Sequence, residues 1–517
     1  MECSCVRHTD VPGTSKLFAD LIYHFDRVSD LYSVRPNDIQ ALNAAARFDF
    51  PDERRAALVD ALTPLNAGNP SLRELAKPGT VAIVTGQQVG LFSGPAYSVY
   101  KALTAIRIAR ALSDSGTPAV PIFWIATEDH DFAEVDHAWM FGADRQPVKV
   151  RVNGPATAGS RPVGGIAIRD FPIRELRSAL TGLPYADDAA ALMERAYQPG
   201  RTMGAAFAAL LKELFAPYGL LVIDPLEPAL RTIAAPFLSD AVERMPELTD
   251  ALMARSKELE ARGYHAQVLV DKSMSLVFLL QDGQRMSLKS SKGANLAELA
   301  RRGPDLSPNA LLRPVMQDYL LPTAAYVGGP AELAYLAQSQ VIYNKLLGRQ
   351  PAAFPRACFT LVDSRSHKRM AKYHLGPTDL FAGEQALHER IAARLVPGRL
   401  RTRLDDTKAA FARALDALKG DLDQFDPALA SALGTSRRKI EYQAAKITRK
   451  TAAKIMANDE RALNDARMLN GLVFPEKHLQ ERFYSIVPFL AEFGPGLIDE
   501  LYSAVRVECP DHQFVVV

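Results

Sequence analysis

The chain has 517 residues, 48% hydrophobic and 23% charged, with 61 basic against 59 acidic side chains and a net charge of +2. That length exceeds one ordinary domain, and the composition is that of a globular protein able to bury a large core. The balanced charge gives no case for general binding to nucleic acid or membrane, and four cysteines are too few for a disulfide framework.

No apolar run is long enough to span a bilayer, and the opening Met-Glu-Cys-Ser-Cys lacks a basic region followed by an apolar core. The expected compartment is the cytoplasm. Cys3 and Cys5 have no partners at zinc spacing, so no zinc or other structural metal is expected.

Residues 1–75 read as a mostly helical segment packed on the core, with a loop at Asn66-Ala67-Gly68-Asn69-Pro70. Thr80 to Thr85 is β-branched and apolar, the composition of a buried parallel strand. The loop after it holds Gly86, Gly90 and Gly94 and ends at Pro95. Proline suits a first helical turn, so a helix is expected from there to just before Gly116. Val120 to Ala126 reads as the next strand. From Pro147, Val148, Val150 and Val152 alternate with polar residues, the pattern of an inserted β-hairpin. Ala205 to Tyr218 predicts a helix and Gly219 to Pro225 a further core strand, with helices on to about Arg262. Alternation from Val268 to Met286 around Asp282-Gly283 signals a second inserted hairpin. Ala325-Tyr326-Val327-Gly328-Gly329-Pro330 repeats the strand–glycine–proline–helix design, with a helix to Leu347.

After about residue 380 helix formers dominate. Leu404, Phe411, Leu415, Leu418, Leu422 and Phe425 follow the a/d spacing of a coiled coil. A second long helix is expected through Ile440, Ile447 and Ile455 to Leu469, with Gly471 as its C-cap. A short connection makes the two helices antiparallel. The fold class is therefore α/β: a parallel-sheet core over 76–380 with insertions near 141–200 and 226–320, a helical arm over 381–473, and a segment 474–517 returning to the core. Basic blocks at Arg437-Arg438-Lys439 and from Lys446 to Lys454 read as a solvated helix face.

In open α/β sheets ligands bind at the carboxyl ends of the strands, where strand order reverses. The first strand ends in Gly86, Gln87 and Gln88, and a helix beginning near Ser93, Gly94 and Tyr97 would offer free amides to an anion. The plainer reading is a tight turn. The second strand ends in Glu128-Asp129-His130-Asp131, carboxylates suited to Mg²⁺ or an amine and a histidine suited to proton transfer. The plainer reading is a helix cap by Asp129 or Asp131. Tyr326, Gly328, Gly329 and Glu332 are placed to complete the same pocket. Asn309, Arg313, Gln317 and Asp318 precede them, and Arg313 is the natural partner for carboxylate or phosphate. A surface ion-pair network is the plainer alternative. Ser287-Leu288-Lys289-Ser290-Ser291-Lys292-Gly293 weakly resembles the Lys-Met-Ser-Lys-Ser loop of class I adenylate-forming enzymes.

Several stretches together resemble the cysteine-adding enzyme family of bacillithiol biosynthesis. They are Val84 to Tyr97 with Lys101, Pro121 to Phe132, Arg161 to Gly164, Gly263 to Gln267, Ser307 to Asp318, Ala325 to Tyr335 and Leu479 to Arg482. The resemblance implies a Rossmann-type core with two connecting insertions and a coiled-coil domain carrying a homodimer interface. It implies a ligase joining L-cysteine to glucosaminyl-malate, with ATP and Mg²⁺ as candidates for carboxylate activation. Glu128, Asp129, His130 and Lys101 would then be catalytic. It also implies a second nucleotide pocket holding ADP, placed near Asn470, Gly471, Phe474 and Arg482. The chain departs from related cysteine ligases in lacking a His-x-Gly-His signature, where Ser93-Gly94-Pro95-Ala96-Tyr97 stands, and a zinc–thiolate grip for cysteine. Two alternatives stay open: a nucleotidyltransferase-like enzyme on another small acceptor, and a non-catalytic nucleotide-binding dimer whose arm recruits a partner.

Overall fold

A computed structural model describes residues 2–154, 159–288 and 296–517. Five parallel strands form the central sheet: β1 (Val81–Gln87), β2 (Ala119–Ile125), β3 (Leu221–Ile223), β4 (Thr323–Gly328) and β5 (Ala352–Pro355). Their order is β5-β4-β1-β2-β3. The chain winds outward from β1 through β2 to β3, then returns to the other side of β1. The switch point therefore lies between β1 and β4.

The strands are near-continuous apolar runs because both faces are covered. Ala82 and Val84 of β1 and Ile122 and Trp124 of β2 face one apolar cluster. Val81 and Ile83 face a second, and Phe123 and Ile125 a third. The helix α1 (Tyr97–Asp114) connects β1 to β2 and is buried along most of its length. Helices α2 (Met203–Phe215), α3 (Pro228–Glu243), α4 (Arg313–Leu320) and α5 (Pro330–Leu346) complete the layers.

The first insertion carries the antiparallel hairpin His137–Phe141 with Pro147–Arg151. The second carries a three-stranded antiparallel unit of Gln284–Ser287, Val277–Gln281 and Leu306–Pro308. The two insertions touch: Arg285 N donates to Ser160 O at 2.7 Å and Ser160 N to Gln284 Oε1 at 3.1 Å. Of the Ser287–Gly293 stretch, residues 289–293 lie outside the described residues.

The N-terminal segment differs from its helical expectation at the start. Glu2–Val6 is a strand, paired antiparallel with His512–Val516, which in turn runs parallel to Phe359–Val362. Five residues of mixed polarity give no periodic signal, and only pairing with the far end of the sequence makes them a strand.

The arm consists of α6 (Gly398–Phe425) and α7 (Pro427–Ala457), packed on each other. Asp426 caps α7 through Ala428 N, and Pro427 occupies its first turn. Of the predicted stripe, Phe411, Leu418 and Phe425 are exposed within this chain. The second long helix ends at Ala457 and a new one, Glu460–Val473, begins after the cap Asp459. Gly471 is thus inside that helix and not its C-cap. A Cβ there would sit 2.3 Å from Arg145 O, so the glycine permits close packing of the first insertion. Among the described residues no helix is long and apolar enough to cross a membrane.

Candidate active site

A cavity of about 620 Å³ opens at the carboxyl ends of β1, β2 and β4. At the switch point, Lys101 on α1 is 1% exposed. Its ammonium meets Glu332 Oε2 at 2.5 Å, Gly86 O at 2.9 Å and Gln87 Oε1 at 2.8 Å. Glu332 also accepts from Tyr326 Oη at 2.8 Å and from Gly329 N at 2.9 Å, capping α5. Burial pulls the Lys101 ammonium below its ordinary value, against the attraction of Glu332. Burial pushes the Glu332 carboxyl up, but Lys101, the Gly329 amide and Tyr326 outweigh it and leave it below the ordinary range.

Arg313 donates to Gln317 Oε1 and Tyr335 Oη, both at 3.1 Å, and lies over the Tyr326 ring. Among the described residues no carboxylate lies within 4.0 Å of its guanidinium. Burial works against its charge, but Tyr335, Tyr326 and Glu332 hold its pKa raised. Arg313 is a fixed cation facing the cavity.

At the end of β2, Glu128 is buried and paired with Arg231 at 2.9 Å. Its burial nonetheless raises the carboxyl above its ordinary value. Asp129 Oδ2 accepts from Gln88 Nε2 at 2.7 Å, and Glu134 Oε2 accepts from the same nitrogen at 2.8 Å. His130 Nδ1 stands 3.1 Å from Arg285 Nη1. A guanidinium only donates, so Nδ1 accepts and the ring proton lies on Nε2. In this arrangement His130 is a donor. The expectation that it takes a proton does not fit, because its available lone pair is already engaged.

The residues expected at the site divide clearly once placed. Gly86, Gln87, Gln88, Tyr97, Lys101, Glu128, Asp129, His130, Asn309, Arg313, Tyr326, Gly329 and Glu332 line the cavity. Asn309 spends its side chain on Leu311 N, Leu312 N and Ser275 O, so it shapes the turn before α4. Gln317 and Asp318 are buried behind the wall, where Gln317 braces Arg313 and Asp318 binds Gln317 and Tyr343. Gly328 is a buried strand residue whose carbonyl accepts from Arg356 N. Asp131 caps the short helix Phe132–Val135.

The expected anion seat at Gly94–Tyr97 is also altered. The helix begins at Tyr97, Gly94 N is bound to Leu91 O, and Ala96 N to Tyr484 O at 2.7 Å. Ser93 is fully buried, with its amide on Tyr197 Oη and its hydroxyl against Ser485 Oγ at 3.2 Å. Phe92, Ser93 and Gly94 all have positive φ, a strained run held by those contacts. Leu91 and Tyr484 have thus taken the Gly94 and Ala96 amides that an anion would need.

Asn470, Gly471 and Phe474 do not line this cavity or its neighbour. Gly471 abuts Arg145, its carbonyl accepts from Tyr484 Oη, and Phe474 packs near Phe381. Arg482 does line both cavities. Sequence reasoning missed Arg285, Arg356, Tyr335 and Glu134, all on the wall. Arg356 follows Pro355 at the end of β5, and that strand-end position was the signal that could have found it.

Arg356 is buried and makes a bidentate pair with Glu481 at 2.6 and 2.8 Å. Among the described residues, Cys358, Glu481 and His512 are the group whose ligand atoms lie within 4.8 Å of one another. Both Glu481 oxygens are committed to Arg356, whose positive charge sits where a cation would have to enter. The cluster fits an ion pair better than a metal.

Parallel strands with charged groups at a switch-point crevice define a Rossmann-type fold with a ligand-binding crevice. Residues 1–357 match the family model described as Bacillithiol biosynthesis BshC, N-terminal Rossmann-like domain, and residues 359–517 match the BshC C-terminal coiled-coil domain. A protein of Solibacter usitatus is 51% identical over 526 residues, covering 100% of both chains. One of Koribacter versatilis is 34% identical with 99% of each covered, and one of Salinibacter ruber 31% identical with 96% of each covered. All three carry the name "Putative cysteine ligase BshC". The chain belongs to the BshC family of bacillithiol biosynthesis and is an enzyme of the ligase class.

Proposed function

We propose that the cavity joins the carboxyl group of L-cysteine to the amine of glucosaminyl-malate, giving bacillithiol. The observation that carries this reading is the pairing of a fixed, carboxylate-free cation, Arg313, with the Asp129–His130 end of β2 across one crevice. An acidic amino sugar needs both: a cation for malate and a carboxylate for the amine.

A carboxylate is a poor acyl donor, and ATP supplies activation by converting its oxygen into a leaving group. Arg285, Arg313 and Arg482 line the cavity and suit polyphosphate and dicarboxylate alike. Mg²⁺ would be carried in on the phosphates of ATP. In the joining step the sugar amine forms the C–N bond to the activated carbonyl, the phosphate-bearing oxygen departs, and the amine proton passes to Asp129. His130 Nε2–H donates to the charge that develops on oxygen. Lys101, neutralised by Glu332, holds the turn at Gly86 and Gln87 in place.

We further infer a cytoplasmic homodimer through the arm, supported by the exposed Phe411, Leu418 and Phe425 on α6 and Leu429, Tyr442 and Ile447 on α7. The test of function is direct. Protein supplied with glucosaminyl-malate, cysteine, ATP and Mg²⁺ should yield bacillithiol by mass. Product without any nucleoside triphosphate removes the ATP step. Pyrophosphate release on other sugar acceptors, without bacillithiol, favours the nucleotidyltransferase alternative.

A further inference from the structure

A second cavity of about 500 Å³ adjoins the first along one wall formed by Gln87, Gln88, Tyr97, Glu134 and Arg482, which face both. A ligase that joins two substrates needs two adjacent seats, and this wall carries one charge of each sign. Glu134 is exposed, and among the described residues its carboxylate is held by the Gln88 amide alone. Asp129, on the other hydrogen of that amide, lines the first cavity alone. Gln88 thus separates a carboxylate private to the first cavity from one shared by both. Arg482 is exposed, and no carboxylate of the described residues lies within 4.0 Å of its guanidinium. Beyond the wall, Trp139 and Phe483 stack at 4.6 Å between centroids and 27° between planes. Among the described residues none of Cys3, Cys5, Cys358 and Cys509 lines either cavity.

We propose that the second cavity seats the zwitterionic amino acid, L-cysteine. Its ammonium replaces the Gln88 amide on Glu134, its carboxylate lies on Arg482 at the mouth of the first cavity, and its thiol rests against the Trp139–Phe483 pair. Sulfur against an aromatic ring is a favourable contact. This assignment rests on the ligase reading above. It puts the carboxyl group on the shared wall, within reach of an amine in the first cavity, and supplies thiol recognition without a thiolate–zinc grip. The cavity is larger than one amino acid, so the charges and the aromatic pair select the ligand, not the volume.

Calorimetric titration of L-cysteine, cysteamine, 3-mercaptopropionate and L-serine into the full chain tests the seat. Arg482→Met should weaken cysteine about 10-fold or more, as loss of a charge-assisted pair does, while cysteamine, which has no carboxylate, binds as before. Glu134→Gln should weaken cysteine comparably and spare 3-mercaptopropionate, which has no amine. Trp139→Ala should erase the preference for cysteine over serine. Melting temperatures show that the variants are folded, and the two surface substitutions keep the test alive where Trp139→Ala is unstable. Wild-type cysteine affinity in both Arg482→Met and Glu134→Gln, or equal losses for cysteine and its truncated analogues, overturns the seat. It leaves the ligase reading standing as long as the wild-type protein makes bacillithiol. ADP binding abolished by Trp139→Ala, with cysteine binding untouched, gives the cavity to a nucleotide and also overturns the seat. A wild-type protein that binds neither cysteine nor glucosaminyl-malate overturns the ligase reading itself.

Discussion

The switch point between β1 and β4 and the end of β2 belong to the same cavity but follow different plans. At the switch point the buried Lys101 pairs with Glu332, 21% exposed, and the remaining hydrogen-bonding partners of the two are Gly86, Gln87, Gly329 and Tyr326. At the end of β2 the Asp129 and His130 side chains remain 33% and 39% exposed, and their partner Arg285 arrives from an insertion. A saturated buried pair holds geometry and resists change of protonation. A half-open group with an engaged lone pair can meet substrate. Residues of equal chemical promise in sequence therefore divide into scaffold and reactive edge by burial and by how fully they are partnered.

The sharpest way to break this division is at His130. His130→Ala should lower kcat by about 100-fold or more with an unchanged melting temperature, the cost of one donor to developing charge. Full activity would remove His130 from the reaction. Glu332→Gln should do the opposite. It leaves Lys101 charged and buried without its partner, costing about 3–5 kcal/mol in urea unfolding. A loss of activity without loss of stability would make Glu332 a reactive group and dissolve the contrast.

Arg285→Ala should raise KM for glucosaminyl-malate about 10-fold or more, the loss of a charge-assisted contact, and free the His130 Nδ1. The pH profile of kcat should then shift, which a purely structural role for Arg285 would not produce. The smallest expected effect separates two carboxylates by pH. Glu332 is depressed when folded, so its contribution is complete above the ordinary value of 4.5 and drains away as pH falls through the lower folded value. Glu128 is raised, so its contribution is complete below 4.5 and is lost as pH rises through the higher folded value. Glu128→Gln should therefore gain stability relative to the parent as pH rises from the ordinary carboxylate value towards neutrality. A difference that stays flat over that range would show that Glu128 is not raised.

Much of the architecture was legible because buried parallel strands are short β-branched runs. Val81–Gln87, Ala119–Ile125 and Thr323–Gly328 stand where such runs end in glycine or acid. The site was legible where it follows those strand ends and opaque where it comes from elsewhere. Arg285 sits in a hairpin more than 150 positions from His130, and nothing local to it marks a cavity wall. Gln317 and Asp318 misled for the opposite reason. They follow Arg313 on the same helix but lie a turn deeper in the structure, buried, where Gln317 braces Arg313 and Asp318 binds Tyr343. Gly471 looked like a helix end because glycine favours that position, whereas here it admits the Arg145 backbone.

The sheet joining Glu2–Val6, His512–Val516 and Phe359–Val362 bears on how the molecule comes together. Glu481, which fixes Arg356 in the cavity wall, accepts from Phe359 N at 3.1 Å, so the wall leans on this sheet. Its outer pairing brings Glu2 opposite Val516. Closing so large a loop costs chain entropy before any contact repays it, and contacts between distant positions slow folding. The central sheet can collapse early on local βαβ units, and the brace behind Arg356 then locks late. Refolding kinetics would accordingly show secondary structure recovering ahead of substrate binding, with the assembly of the catalytic wall as the slow event.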